Sequence, residues 1–213
     1  MNISECWPAA YDLIANGDAV GAITLCERKP CSASLECQRY LGWTYYQQSK
    51  MEEALSWFAR AAEQGDGEAL FGIGCVHFAQ RDFHLALQYY KRGADHGFSR
   101  AYGWLGYLYH QGLGVPKDLN VATNYYKQAA AHGYLIAERS LIHLAWKRGN
   151  LFRRILVVPQ YIYLVAKTVV IAQRNINDPR LVDIPNAFDA SNDASNRNRK
   201  TKQKKGSEKK GSG

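Results

Sequence analysis

Ala61-Ala62-Glu63-Gln64-Gly65 returns as Gly93-Ala94-Asp95-His96-Gly97 and again as Ala129-Ala130-Ala131-His132-Gly133, at spacings of 32 and then 36 residues. A period in this range marks stacked helical hairpins. Independent positions keep the same register. Trp57-Phe58 aligns with Tyr89-Tyr90 and Tyr125-Tyr126, Ala54 with Ala86 and Ala122, Leu41-Gly42 with Ile73-Gly74 and Leu105-Gly106, and Cys37 with Ala69, Ala101 and Ala137. Ala69 to Ala101 and Gly74 to Gly106 are steps of 32, whereas Ala86 to Ala122 is a step of 36. Four residues are therefore inserted between the two helices of the third unit, within Gly112-Leu113-Gly114-Val115-Pro116-Lys117-Asp118, where the glycines supply positive φ and the proline stops the helix.

Each unit reads as two antiparallel helices. Tyr102, Leu105, Leu108 and Tyr109 keep helical spacing before the inserted loop, and Val121, Tyr125 and Ala129 keep it after. A glycine inside a helix is about 1 kcal/mol worse than alanine, so its return at 42, 74 and 106 reflects close packing. The expectation is that an aromatic ring from the neighbouring hairpin fills the space beside Gly106 and Ala122.

The pattern Ala101-x-x-x-Leu105-Gly106-x-x-Tyr109-x-x-Gly112-x-Gly114-Val115-x-x-Asp118-x-x-x-Ala122-x-x-Tyr125-Tyr126-x-x-Ala129-Ala130-x-x-Gly133 resembles a Sel-one-like repeat, a subclass of the tetratricopeptide family. The units at 35–66 and 67–98 lack the Gly-x-Gly-Val loop and have ordinary tetratricopeptide spacing. A weaker unit precedes them near 8–34, and a partial one follows at 135–150. The resemblance implies an all-α solenoid over residues 1–150 whose inner helices line a groove for a segment of a partner protein. Carried over by register, the groove positions are Glu36, Arg39, Trp43, Tyr46 and Gln47; then Glu68, Phe71, Cys75 and Phe78; then Arg100, Tyr107, His110 and Gln111. Trp, Tyr and Arg dominate interface anchors generally, and Arg39 and Trp43, one turn apart, lead this set. The resemblance further implies a non-catalytic adaptor or scaffold, with roles in the family that include bacterial envelope or signalling assembly, toxin immunity and eukaryotic protein quality control.

Little in the residues points to chemistry. The histidines at 77, 84, 96, 110, 132 and 143 are scattered through the repeat register: His96 and His132 precede the unit-ending glycine where Gln64 also stands, and His77 replaces Tyr45 and Tyr109. No HExxH pair, phosphate loop or nucleophile elbow is present, so neither catalysis, a metal nor a cofactor is expected. Five cysteines, at 6, 26, 31, 37 and 75, are odd in number and lack zinc spacing; free buried thiols are the expected state. Met1-Asn2-Ile3-Ser4-Glu5 has neither a basic region nor an apolar run, which leads to the expectation of a cytoplasmic protein without a secretory signal.

The net charge of +8 is concentrated at one end. Residues 197–213 hold eight Lys or Arg and one acid, for +7, which leaves about +1 on the first 196. Residues 187–213 are expected to be disordered, and their lysines can solubilise the chain or touch anionic lipid or nucleic acid. Residues 175–186, with Asp178-Pro179 and Ile184-Pro185, read as an extended strap. The stretch 151–174 carries Gln160, Lys167 and Arg174 seven apart, a narrow polar stripe on an otherwise apolar helix. It can cap the solenoid with its apolar side, self-associate, lie in a membrane interface or span a bilayer. The alternative to the adaptor reading is a peripheral membrane or nucleic-acid-associated protein targeted by this helix and the basic tail.

Overall fold

The computed structural model describes residues 1–148 and 151–174, and these are all-helical, as the repeat register requires. In chain order the helices are α1 (Ile3–Ala15), α2 (Ala19–Glu27), α3 (Leu35–Gln47), α4 (Met51–Glu63), α5 (Gly67–Ala79), α6 (Phe83–Asp95), α7 (Ser99–Gln111), α8 (Leu119–Ala131), α9 (Leu135–Arg148) and α10 (Leu151–Arg174). A 3₁₀ turn, Cys31–Ala33, precedes α3. Each helix packs chiefly on the one before and the one after it, which is the nearest-neighbour logic of a solenoid. The expected strap at 175–186 and the basic tail at 187–213 lie outside the described residues.

Local chemistry sets the helix boundaries. Carboxylates at Asp18, Asp66, Asp82 and Asp118 accept backbone N–H bonds from the first turns of α2, α5, α6 and α8, each such cap contributing about 1 kcal/mol. The second helices of the three full units end before Gly65, Gly97 and Gly133, which hold φ near +80° where a side chain would strain the turn. In the inserted loop Gly112 and Gly114 take φ of 76° and 68°, and a Cβ on Gly114 would lie 2.7 Å from the Phe83 backbone.

Close packing explains the glycines inside the first helices. A Cβ on Gly42 would stand 2.6 Å from the Phe58 ring, one on Gly74 2.6 Å from Tyr90, and one on Gly106 2.7 Å from Tyr126. The ring therefore comes from the second helix of the same hairpin, which corrects the expectation of a neighbouring one. Phe58 also reaches the next hairpin, since a Cβ on Gly72 would again meet it at 2.6 Å. The central helix α5 is apolar on all sides because α4, α6 and its neighbours cover it.

The amino-terminal hairpin departs from the expected thiol chemistry. Cys6 of α1 and Cys31 form a disulfide with their Cα atoms 5.2 Å apart, while Cys26, Cys37 and Cys75 stay free and buried. The sequence spacing could not reveal this, because α1 folds back over the turn before α3 and brings together residues 25 apart. Burial, and then the neighbouring Cys37 sulfur, push the Cys26 thiol far above its usual range, so it is an inert core group. The intact chain purified without reductant is expected to be two hydrogens lighter than the reduced chain, with the peptides holding Cys6 and Cys31 linked. Reduction should then open α1 to protease before α3–α8, since the crosslink restrains a terminal hairpin. Equal masses, or cleavage unaffected by reductant, would remove the crosslink from the account.

Candidate functional site: the wall of odd-numbered helices

The first helices of successive hairpins, α3, α5, α7 and α9, share a set of clefts. The most polar contact on the α3–α5 side is built on Glu68. Its Oε2 accepts from Arg39 Nη1 at 3.1 Å and its Oε1 accepts from the Trp43 indole N–H at 3.0 Å. Arg39 also stands 3.6 Å from Asp66. Arg39 and Trp43 thus tie one repeat to the next. Trp43 is half-buried, with ring centroids 5.0 Å from Phe58, 5.8 Å from Tyr46 and 6.2 Å from Phe71.

The expected groove residues divide into two groups. Tyr46, Phe71, Cys75 and Phe78 are in the core, a correction to their placement on the wall. The physical reason lies in α6 of the same hairpin and in the start and middle of the next: Phe71 packs on Tyr90, Phe98 and Trp104, Phe78 packs on Phe83, Trp104 and Tyr107, and the Tyr90 hydroxyl donates to Cys75 Sγ. Burial pushes the Cys75 thiol up to about 12, which leaves it without nucleophilic character near neutral pH. Arg39, Trp43, Arg100, Tyr107 and His110 are half-buried, and Gln47 and Gln111 are exposed. Glu36, also half-buried, accepts from the Ser34 hydroxyl at 2.9 Å, and its own backbone N–H and that hydroxyl hold its carboxyl below the usual range.

Two adjoining clefts flank α7, the first beside Glu68 of α5 and the turn before α9, the second against α9. The first, about 330 Å³, is lined by Glu68, Phe98, Ser99, Arg100, His132, Gly133 and Tyr134. The second, about 270 Å³, has Gly103, Trp104, Tyr107, His110 and Gln111 on one side and Ile136, Arg139, Ser140, His143 and Lys147 on the other, with Lys117, Tyr126, Tyr134 and Ala137 completing it. Tyr134 is common to both, its ring 2.5 Å from where a Cβ on Gly103 would stand, so the two form one track. Among the described residues the second cleft is lined by Lys117, Arg139 and Lys147 and by no carboxylate. His143 and Lys147 were missed because groove positions were carried over three units only. The register does hold the signal: they follow Tyr107 and Gln111 by 36 residues, as Ala137 follows Ala101.

The histidines take structural places. His77 stacks on Tyr89, His132 on Tyr102, His96 Nδ1 is 3.1 Å from the Gly65 carbonyl oxygen, and exposed His84 pairs with Gln88. Among the described residues no group of three His, Cys, Asp or Glu side chains is placed to hold a metal ion.

A succession of helical hairpins, each packed on its neighbours, defines an α-solenoid of the tetratricopeptide class. Residues 35–66, 68–98 and 99–134 match the Sel1 repeat family model, and the chain carries three Sel1 repeats. The fold is similar to that of a Sel1 repeat protein from Oxalobacter formigenes, with a TM-score of 0.59 at 22% identity over 75% of this chain and 70% of the other. A protective antigen of uropathogenic Escherichia coli with an SLR fold gives a TM-score of 0.59 at 24% identity, over 68% of this chain and 34% of that one. MamA gives 0.56 at 18% identity over 75% and 96%. In sequence, 65 residues are 35% identical to the ERAD-associated E3 ubiquitin-protein ligase component HRD3 of Candida glabrata, which is 30% of this chain and 8% of that protein. Sel1 repeat proteins generally mediate protein–protein interaction, and the fold is typically a non-catalytic adaptor.

Proposed function

We propose that this chain is a non-catalytic adaptor whose second cleft, between α7 and α9, holds an acidic segment of a partner protein. The observation that carries the reading is the lining of the second cleft, where Lys117, Arg139 and Lys147 surround an aromatic floor and no described side chain supplies a carboxylate. Such a surface attracts acidic peptides and repels basic ones, and charge complementarity of this kind sets specificity and encounter rate. The aromatic floor adds contact area at small loss of rotamer freedom. The wall at α3 and α5 has the opposite character, because Glu68 and Asp66 already occupy Arg39. Peptide contact there is accordingly weaker.

Selection of a random peptide library on the full chain is expected to enrich sequences rich in Asp and Glu. The lysines of residues 197–213 also attract acids, so the deciding comparison is with the Arg139→Glu/Lys147→Glu variant, which keeps that segment. Affinity of the enriched peptides should fall about ten-fold or more in the variant and weaken as salt rises. Enrichment of neutral or basic peptides, or equal affinity for both proteins, would overturn the proposal.

A further inference from the structure

Among the described residues, two helices are apolar around most of their circumference, and only one of them is covered by protein. The first is α5, at the centre of the stack. The second is α10, whose segment Leu156–Gln173 is long and apolar enough to cross a membrane by length and composition, yet only 11% of it is buried. A helix that is hydrophobic all round belongs in a core or in lipid.

The side of α10 that meets the solenoid is the opposite of what its pattern leads one to expect. Val157 and Leu164 are buried where α10 packs on α9, and the Lys167 Nζ is 2.6 Å from Glu138 Oε1 of α9. Lys167 of the polar stripe therefore falls on the docked flank, while Gln160 is exposed. At about 100° per residue, Ile162, Tyr163, Val165, Val169 and Val170 share the far side, and all five are exposed, Ile162 at 63% and Tyr163 at 65%, whereas Val158 lines a cleft with His110, Arg139 and Trp146. Of the thirteen large hydrophobic side chains exposed among the described residues, eight are on this one helix. The helix packs on α9, but with most of its apolar side facing away and not laid on the last hairpin as expected.

Charge decides what covers that side. The sequence places no acid between Leu151 and Gln173, puts Arg153 and Arg154 in the first turn of α10 and Arg174 at its end, and adds the +7 of residues 197–213. A second copy of the chain would bring these like charges together. An anionic bilayer offers acyl chains to the valines and phosphates to the cations, and tyrosines such as Tyr163 favour the boundary between the two. We infer that α10 lies flat in the surface of an anionic membrane, its Ile162–Val170 side immersed and the solenoid held above it through the Lys167–Glu138 pair.

The test is flotation of the full chain with vesicles of phosphatidylcholine alone or with about 30% phosphatidylserine, at low and high salt. The expected result is recovery with the anionic vesicles, reduced by salt, and a loss of about ten-fold or more in Ile162→Glu/Val169→Glu. Both substituted positions are exposed, so circular dichroism of the variant should match the parent and separates lost binding from lost folding. Equal flotation of variant and parent, displaced by an oligonucleotide, would assign the attraction to the basic segment alone and overturn the role of α10. A parent that ignores vesicles and sediments as a dimer, made monomeric by the same substitutions, would give the surface to a second copy instead. Membrane association in cells that survives alkaline carbonate would mean a spanning helix and would equally overturn the flat arrangement.

Discussion

Phe58→Ala is expected to lower the unfolding free energy by about 3–5 kcal/mol and the melting temperature by about 6–20 °C. The ring is fully buried and bridges two repeats, lying over Gly42 within its own hairpin and over Gly72 in the next. Large-to-small substitutions are worst where neighbours cannot move in to refill the space. Here the facing residues are glycines, which have no side chain to swing inward, and the neighbouring ring, Trp43 at 5.0 Å, is fixed by Glu68. Because stability in a repeat array is a sum of local units and their interfaces, the damage should be localised. Hydrogen exchange is expected to accelerate through α3–α5 and to change little in α7 and α8. Thermal melting and exchange mass spectrometry check the two halves of the expectation. Uniform exchange across the body, or a loss under 1 kcal/mol, would show that the glycine seat is not what holds the ring.

The same residues show how far the fold could be read without coordinates. The paired aromatics Trp57-Phe58, Tyr89-Tyr90 and Tyr125-Tyr126 fixed the register, and in each pair the second ring is buried while the first is half-exposed. Two of the first rings carry an arginine three residues on, Arg60 over Trp57 at 4.4 Å and Arg92 over Tyr89 at 5.2 Å. Register assigns a residue to a helix and a turn, but not to a depth. Phe71 and Phe78 occupy wall positions by alignment, yet they are sealed over by Phe98, Trp104 and Tyr107, and Cys75 lies under Tyr90; the size of these rings is not conveyed by alignment to a generic groove. The Cys6–Cys31 bond was illegible for a related reason: it depends on how α1 closes on the chain before α3, in the unit where the repeat pattern is faintest. For α10 the stripe of Gln160, Lys167 and Arg174 was visible, whereas the side that docks was decided by one carboxylate, Glu138, on another helix.

Trp43→Ala is expected to destabilise the protein by about 3 kcal/mol, although alignment alone makes it the leading candidate for partner contact. Its indole is half-buried and makes edge contacts with Phe58 and Tyr46, at 89° and 5.8 Å to the latter, and its N–H closes onto Glu68. Removing the ring takes away packing in α3–α4 and the α3–α5 hydrogen bond together. Glu68 keeps Arg39 at 3.1 Å, so its charge is not left without a partner, and this holds the loss below that of Phe58→Ala. Trp43→Phe separates the contributions: it retains much of the ring contact and deletes only the hydrogen bond, for an expected loss of about 1 kcal/mol. Chemical denaturation of the three proteins measures both steps. If Trp43→Ala leaves stability within 0.5 kcal/mol of the parent, a threshold set by ordinary surface substitutions, the ring is held for recognition and not for the stack. In that event the wall at α3 and α5 would rejoin the cleft between α7 and α9 as a binding surface, and the acidic-peptide measurements on Arg139→Glu/Lys147→Glu would have to be repeated with Trp43→Ala beside them.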